Sequence, residues 1–119
     1  MKDNIIYRKS FNFAIDIVNL YKYLINEKRE FVISKQLLRS RTSIGANVSE
    51  AIEAQSKKDF ISKLSIALKE TRETKYWIEL LNATDYLEKD LANNLLNKTN
   101  ELLRILVSII KTSKAKLKQ

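Results

Sequence analysis

The chain has 119 residues, enough for one domain that buries roughly two-thirds of the surface its unfolded form exposes. It contains no Cys, no His and no Pro, and a single Gly. Disulfides, thiolate metal sites and cysteine catalysis are therefore excluded, and the commonest general base and metal ligand is missing. Lys and Arg outnumber Asp and Glu by 22 to 14, a formal charge of +8 that attracts RNA, DNA or anionic lipid and also keeps a protein dissolved.

So few helix breakers favour long uninterrupted helices. No apolar run approaches the roughly 20 residues needed to span a bilayer. The opening Met1 to Ile6 lacks the sustained apolar segment of a signal peptide. A cytoplasmic protein without membrane contact is expected.

The spacing predicts a first helix from about Ser10 to Glu27. Phe11, Ala14, Ile17, Val18, Tyr21, Leu24 and Ile25 recur along it as one apolar stripe. Phe13, Ile15 and Leu20 fall outside that stripe. The charged run Asn26 to Glu30 makes an exit into a turn. A second helix is expected after Ser34, whose hydroxyl suits an N-cap, and ends near Gln55. Its inward side is Leu37, Ile44, Val48 and Ala51, flanked by Leu38 and Ile52.

Ser56-Lys57-Lys58-Asp59 is a helix start, with Ser56 as cap and Asp59 favouring the positive helix end. The third helix then runs from Lys57 to Ala83, about 40 Å at 1.5 Å per residue. Phe60, Leu64, Ala67, Leu68, Thr71, Ile78 and Leu81 face inward. After a connection at Thr84 to Leu87, the fourth helix runs from near Glu88 to about Ser113. It carries Leu91, Leu95, Thr99, Leu102, Leu106 and Ile109, with Leu103, Val107 and Ile110 beside them. A Lys-rich end at 113–119 is expected to fray. Short connections make sequential helices antiparallel neighbours. The fold class is all-α, an antiparallel up-down-up-down four-helix bundle formed by residues 1–119 as a single domain.

Apolar residues exceed what one narrow stripe per helix needs. Self-association would use the surplus, and so would a broader face within one chain.

Two segments are distinctive: QLLRSRTSIGANVSEA, from Gln36 to Ala51, and KDFISKLSIALKETRETKYWIELL, from Lys58 to Leu81. They resemble the bacterial family of 23S rRNA intervening-sequence, or S23-type, proteins, and the helical layout agrees over nearly the whole chain. Arg41 departs from the pattern, standing where a small residue is expected. The same fold looks like that of the accessory variability determinant of diversity-generating retroelements, a basic pentameric barrel that binds nucleic acid and its reverse transcriptase. The resemblance implies a homo-oligomer, a pentamer by that comparison, with RNA or DNA or a protein as partner. It does not by itself fix a biochemical activity.

Each candidate site residue has two readings. Ser40, Ser43, Asn47 and Glu50 form a polar row on the second helix, either a hydrogen-bonded strip between helices or subunits or a polar ligand site. Glu70, Glu73, Thr74 and Tyr76 are the expected partners of such a strip. Gly45 lies inside a helical pattern, where it is about 1 kcal/mol worse than alanine. Close approach of another helix or of a partner would explain it. Glu50 with Glu53 and Glu70 with Glu73 have the spacing of carboxylate-bridged bundles, but without a histidine no metal and no cofactor are expected.

Lys58, Lys69, Arg72 and Tyr76 follow one side of the third helix, with Ser62 and Ser65 between them. Lys35 and Arg39 stand one turn apart on the second, and Arg104, Lys111, Lys114 and Lys118 follow one side of the fourth. Such rows track phosphates or are simply solvated faces, and Tyr76 or Trp77 could stack on an unpaired base. No nucleophile with a partnering base is present. The expectation is a non-enzymatic, oligomeric bundle that binds structured RNA or other nucleic acid. The alternative is an interaction scaffold or accessory subunit, for example of a reverse transcriptase.

Overall fold

The structure is a computed structural model that describes residues 4–118, without the side chains of Arg41 and Thr42. The first three residues, the last one and the expected effect of Arg41 on packing lie outside the described residues. Four helices follow in chain order: α1 (Ile5–Asn26), α2 (Ile33–Ile52), α3 (Lys57–Ala83) and α4 (Lys89–Leu117). No strand occurs among the described residues. Each helix packs on the next and α4 returns to α1, in a bundle of 50 × 24 × 19 Å. Cross-helix ion pairs fix the antiparallel sense: Lys9 meets Glu101 while Asp16 meets Lys98.

Helix ends follow from local hydrogen bonding. α1 starts at Ile5, more than a turn before the expected Ser10, because the Asn4 side chain accepts from the Tyr7 N–H. Ser10 is buried inside the helix, and its hydroxyl donates to the Tyr7 carbonyl. α2 is not capped by Ser34. The buried Glu30 carboxylate accepts from the N–H groups of Val32, Ile33 and Ser34 at 3.1, 2.9 and 2.8 Å, so three otherwise orphaned donors share one anion. α3 begins and ends as the spacing predicts. Ser56 Oγ accepts from Asp59 N–H, and Asp85 in the left-handed region lets Tyr86 N–H return to the Leu81 carbonyl. α4 continues regularly to Leu117, beyond the expected end near Ser113. Ser113 is still buried there, and Lys114 and Lys116 lie at the negative helix end that favours cations.

The core positions expected on α2, namely Leu37, Ile44, Val48 and Ala51, are all buried. On α3, Leu64, Ala67, Thr71, Ile78 and Leu81 are buried, while Phe60 and Leu68 are half-buried. Ile61, Glu70 and Thr74 join them. Buried hydroxyls are tolerated because each donates to its own helix: Thr71 to Ala67 O, Thr74 to Glu70 O and Thr99 to Leu95 O.

α1 is rotated from the expected face: Ile17 and Leu24 are buried as expected, but Phe13 and Leu20 are buried in place of Phe11. Ile6, Phe13, Ile17, Leu20 and Leu24 point inward. Phe11 is 55% exposed and Tyr7 41%. They continue through Ala14, Val18, Tyr21 and Ile25 as a second apolar stripe, roughly a quarter turn round the helix. Asp16 stands beside this inward face and pairs with Lys98 on α4, while Phe13 and Leu20 are buried and Phe11 is exposed.

Packing within the chain does not explain Gly45. A Cβ built there meets nothing within 4 Å. Gly45→Ala is therefore expected to stabilise the chain by about 1 kcal/mol through helix propensity alone, measured as a rise in urea midpoint at constant slope. A fall in stability or in assembly mass would instead place a neighbouring subunit against this position.

Candidate nucleic-acid interface

The Ser56 cap sets the phase of α3, and the phase sorts its residues. With Leu64, Ala67, Thr71 and Ile78 inward, Lys58, Ser62, Lys69, Arg72 and Tyr76 come out exposed on the opposite side, with Ser65 half-buried among them. Among the described residues, Lys58, Lys69 and Arg72 form no ion pair. Their charge is thus available to a polyanion. Tyr76 is 57% exposed, whereas Trp77 turns back toward the core and meets the Tyr76 ring edge-on at 5.1 Å between centroids. The Trp77 Nε1 is buried without a hydrogen-bond acceptor.

The two cations on α2 fare differently. Arg39 reaches across to α3, with Nη2 3.1 Å from Glu73 Oε2 and Nη1 3.9 Å from the buried Glu70 Oε1. Its charge is largely compensated, and its role includes joining α2 to α3. Lys35 is exposed and makes no such pair. Because α2 and α3 are antiparallel, the Arg39–Glu73 pair sets Lys35, one turn earlier, level with the region of Tyr76 and Trp77.

Lys111, Lys114 and Lys118 are exposed on α4. The end of α4 meets the start of α3, where Lys57, Phe60 and Ser113 line a shared groove. These lysines therefore gather at the same end of the bundle as Lys58. Lys57 belongs to this group too, although the sequence reading passed over it. Its adjacency to Lys58 was the available signal. Basic charge is thus arranged as a cluster at one end, continued along α3 to Lys69, Arg72 and Tyr76.

The polar row of α2 is satisfied mostly within its own helix. Ser40 Oγ donates to Gln36 O, and Asn47 Nδ2 donates to Ser43 O at 2.7 Å. Glu50 reaches α3, 3.5 Å from Lys63 Nζ. The expected links from this row to Glu70, Glu73, Thr74 and Tyr76 are replaced by these bonds and by Arg39.

The α1–α4 seam is the most open of the four and holds a groove of about 360 Å³ lined by Lys9, Asn12, Phe13, Asp16, Lys98 and Glu101 among others. Its charges are matched in pairs, Lys9–Glu101 at 3.1 Å and Lys98–Asp16 at 3.0 Å. Among the described residues no group of three acidic side chains is placed to hold a metal. No described helix is long and apolar enough to cross a membrane.

Fold and surface together define a small basic four-helix bundle that carries exposed, unpaired cations along α3 and at the end where α4 closes on it. Residues 2–108 match the family described as 23S rRNA-intervening sequence protein, and the chain belongs to that family. A solved structure agrees over the fold. It is a protein with unknown function from the S23 ribosomal protein family of Bacteroides thetaiotaomicron VPI-5482, 57% identical, with a TM-score of 0.88 over 93% of this chain and 99% of that one. No curated protein matches the chain significantly.

Proposed function

We propose that this protein is a non-enzymatic, oligomeric bundle that binds structured RNA or related nucleic acid in the cytoplasm. The observation that carries this reading is the run of exposed, unpaired cations on α3, Lys58, Lys69 and Arg72. Unpaired cations on a rigid helix neutralise phosphates and release counterions, the main source of affinity for a nucleic acid. Lys35 lies near one end of that run, and Lys111, Lys114 and Lys118 extend it at the other.

Oligomerisation is supported by the outward stripe of α1. Tyr7 and Phe11 stack with centroids 6.3 Å apart, and the stripe continues to Ile25 over about 27 Å. A second copy, in a ring of five by family likeness, would cover that surface and multiply the positive charge offered to one ligand.

Titration into labelled structured RNA, with a basic control protein of equal net charge, tests the proposal. Lys69→Glu with Arg72→Glu is expected to weaken binding roughly tenfold or more near 50 mM salt and to flatten its salt dependence. Binding no tighter than the control would sink it. A second reading, a scaffold or accessory subunit for a protein such as a reverse transcriptase, draws on the same α1 stripe. A partner that stays bound at high salt would favour it.

A further inference from the structure

We infer that Tyr76 is a stacking platform for an unpaired base, so that the α3 surface selects single-stranded or looped segments over duplex. This inference rests on the nucleic-acid reading above and narrows its ligand. Tyr76 is the exposed aromatic of α3, and it lies one turn beyond Arg72 and two beyond Lys69 on the same outward side. Neither cation lies over its ring. The cation–ring contacts among the described residues are Lys28 on Tyr23 and Arg29 on Phe31. Trp77 supports the ring edge-on, at 73° between planes, and is itself held by the core. The ring is therefore backed on one side by packed protein and open to solvent elsewhere.

The chemistry of the ligand follows from that arrangement. In a duplex each base face is covered by the next base pair, and cations alone would make the contact. An unpaired nucleotide offers a free π-face to Tyr76 while its neighbouring phosphates meet Arg72 and Lys69. The carboxylates near this surface do not cancel it. Glu73 is engaged by Arg39, and Glu79 stands exposed one turn past Tyr76, at the far end from the two cations.

The test uses the intact chain with an unstructured RNA of about 12 nucleotides and a duplex of equal phosphate number. The single tryptophan of the chain, Trp77, touches Tyr76 and supplies an internal signal. The unpaired RNA is expected to bind roughly tenfold more tightly than the duplex and to change Trp77 emission. Tyr76→Ala should remove most of that preference, by roughly tenfold, while leaving duplex affinity alone. Tyr76→Phe, which keeps the ring, should retain the preference and shows that the alanine result is not a folding defect. Equal, salt-sensitive binding of both RNAs that Tyr76→Ala does not alter would overturn the stacking site and leave the basic interface standing. Absence of binding to either RNA would overturn the underlying reading as well.

Discussion

Glu30→Ala should lower the stability of the chain by about 2–3 kcal/mol, a fall in Tm of roughly 10 °C. The carboxylate accepts three backbone N–H groups at the start of α2 while buried against the bundle. Removing it leaves three donors without a partner at a helix end whose dipole favours negative charge. The effect should exceed that of an ordinary Ser or Thr cap, which serves one donor and contributes about 1 kcal/mol. Glu30→Gln keeps an oxygen acceptor without the charge and should show a smaller loss, about 1 kcal/mol. Hydrogen exchange at Val32, Ile33 and Ser34 should quicken in both variants, most in alanine. A change in Glu30→Ala of less than about 0.5 kcal/mol, the range of an ordinary surface substitution, would show that the turn finds other acceptors.

The second large effect concerns assembly. On the proposal that subunits join through the α1 stripe, Phe11→Glu is expected to raise their dissociation constant by at least roughly a hundredfold, leaving monomers at micromolar concentration. Phe11 is more than half exposed within one chain, so the fold itself should change by no more than about 0.5 kcal/mol. Sedimentation velocity reads the mass, and urea unfolding of the monomer reads the fold. An unchanged mass would move the contact off α1, and a monomeric parent protein would remove the oligomer altogether. A collapse of monomer stability would mean that Phe11 belongs to the core despite its exposure.

These two residues also mark where sequence patterning reached its limit. α2 and α3 were legible because each carries one dominant apolar stripe with polar residues opposite, so the phase of Leu37, Ile44 and Val48, or of Leu64, Thr71 and Ile78, admits one inward side. Once α3 was phased, the exposure of Lys58, Lys69, Arg72 and Tyr76 followed without further information. Thr74 and Glu70 were missed as buried residues because hydropathy registers their polarity but not their surroundings: Thr74 donates to a carbonyl of its own helix, and Glu70 lies 3.9 Å from Arg39 with its Oε1 buried and without a hydrogen-bond partner. Ser34 looked like the cap of α2 by residue type. Glu30 took that role by folding its longer side chain back over the turn, which depends on the left-handed backbone at Arg29.

The sequence by itself determined four helices and their order, the limits of α3 and nearly those of α2, the antiparallel layout that short connections impose, and the outward basic side of α3. These are consequences of spacing along one chain, at 3.6 residues per turn and with little Gly and no Pro to interrupt it. The tertiary structure alone decided which of two apolar stripes on α1 entered the core, which cations stayed unpaired, and which distant lysines became neighbours. Phe11 and Phe13 are equally apolar, and only Phe13 lies in line with Ile6, Ile17, Leu20 and Leu24 on the side that packs into the shared core. Arg39 and Lys35 are equally basic, and only Arg39 found Glu73 across the helix gap. Lys58 and Lys114 lie at the same end of the bundle because the antiparallel crossing of α3 and α4 brings the start of one to the end of the other, where Lys57 and Ser113 line one groove.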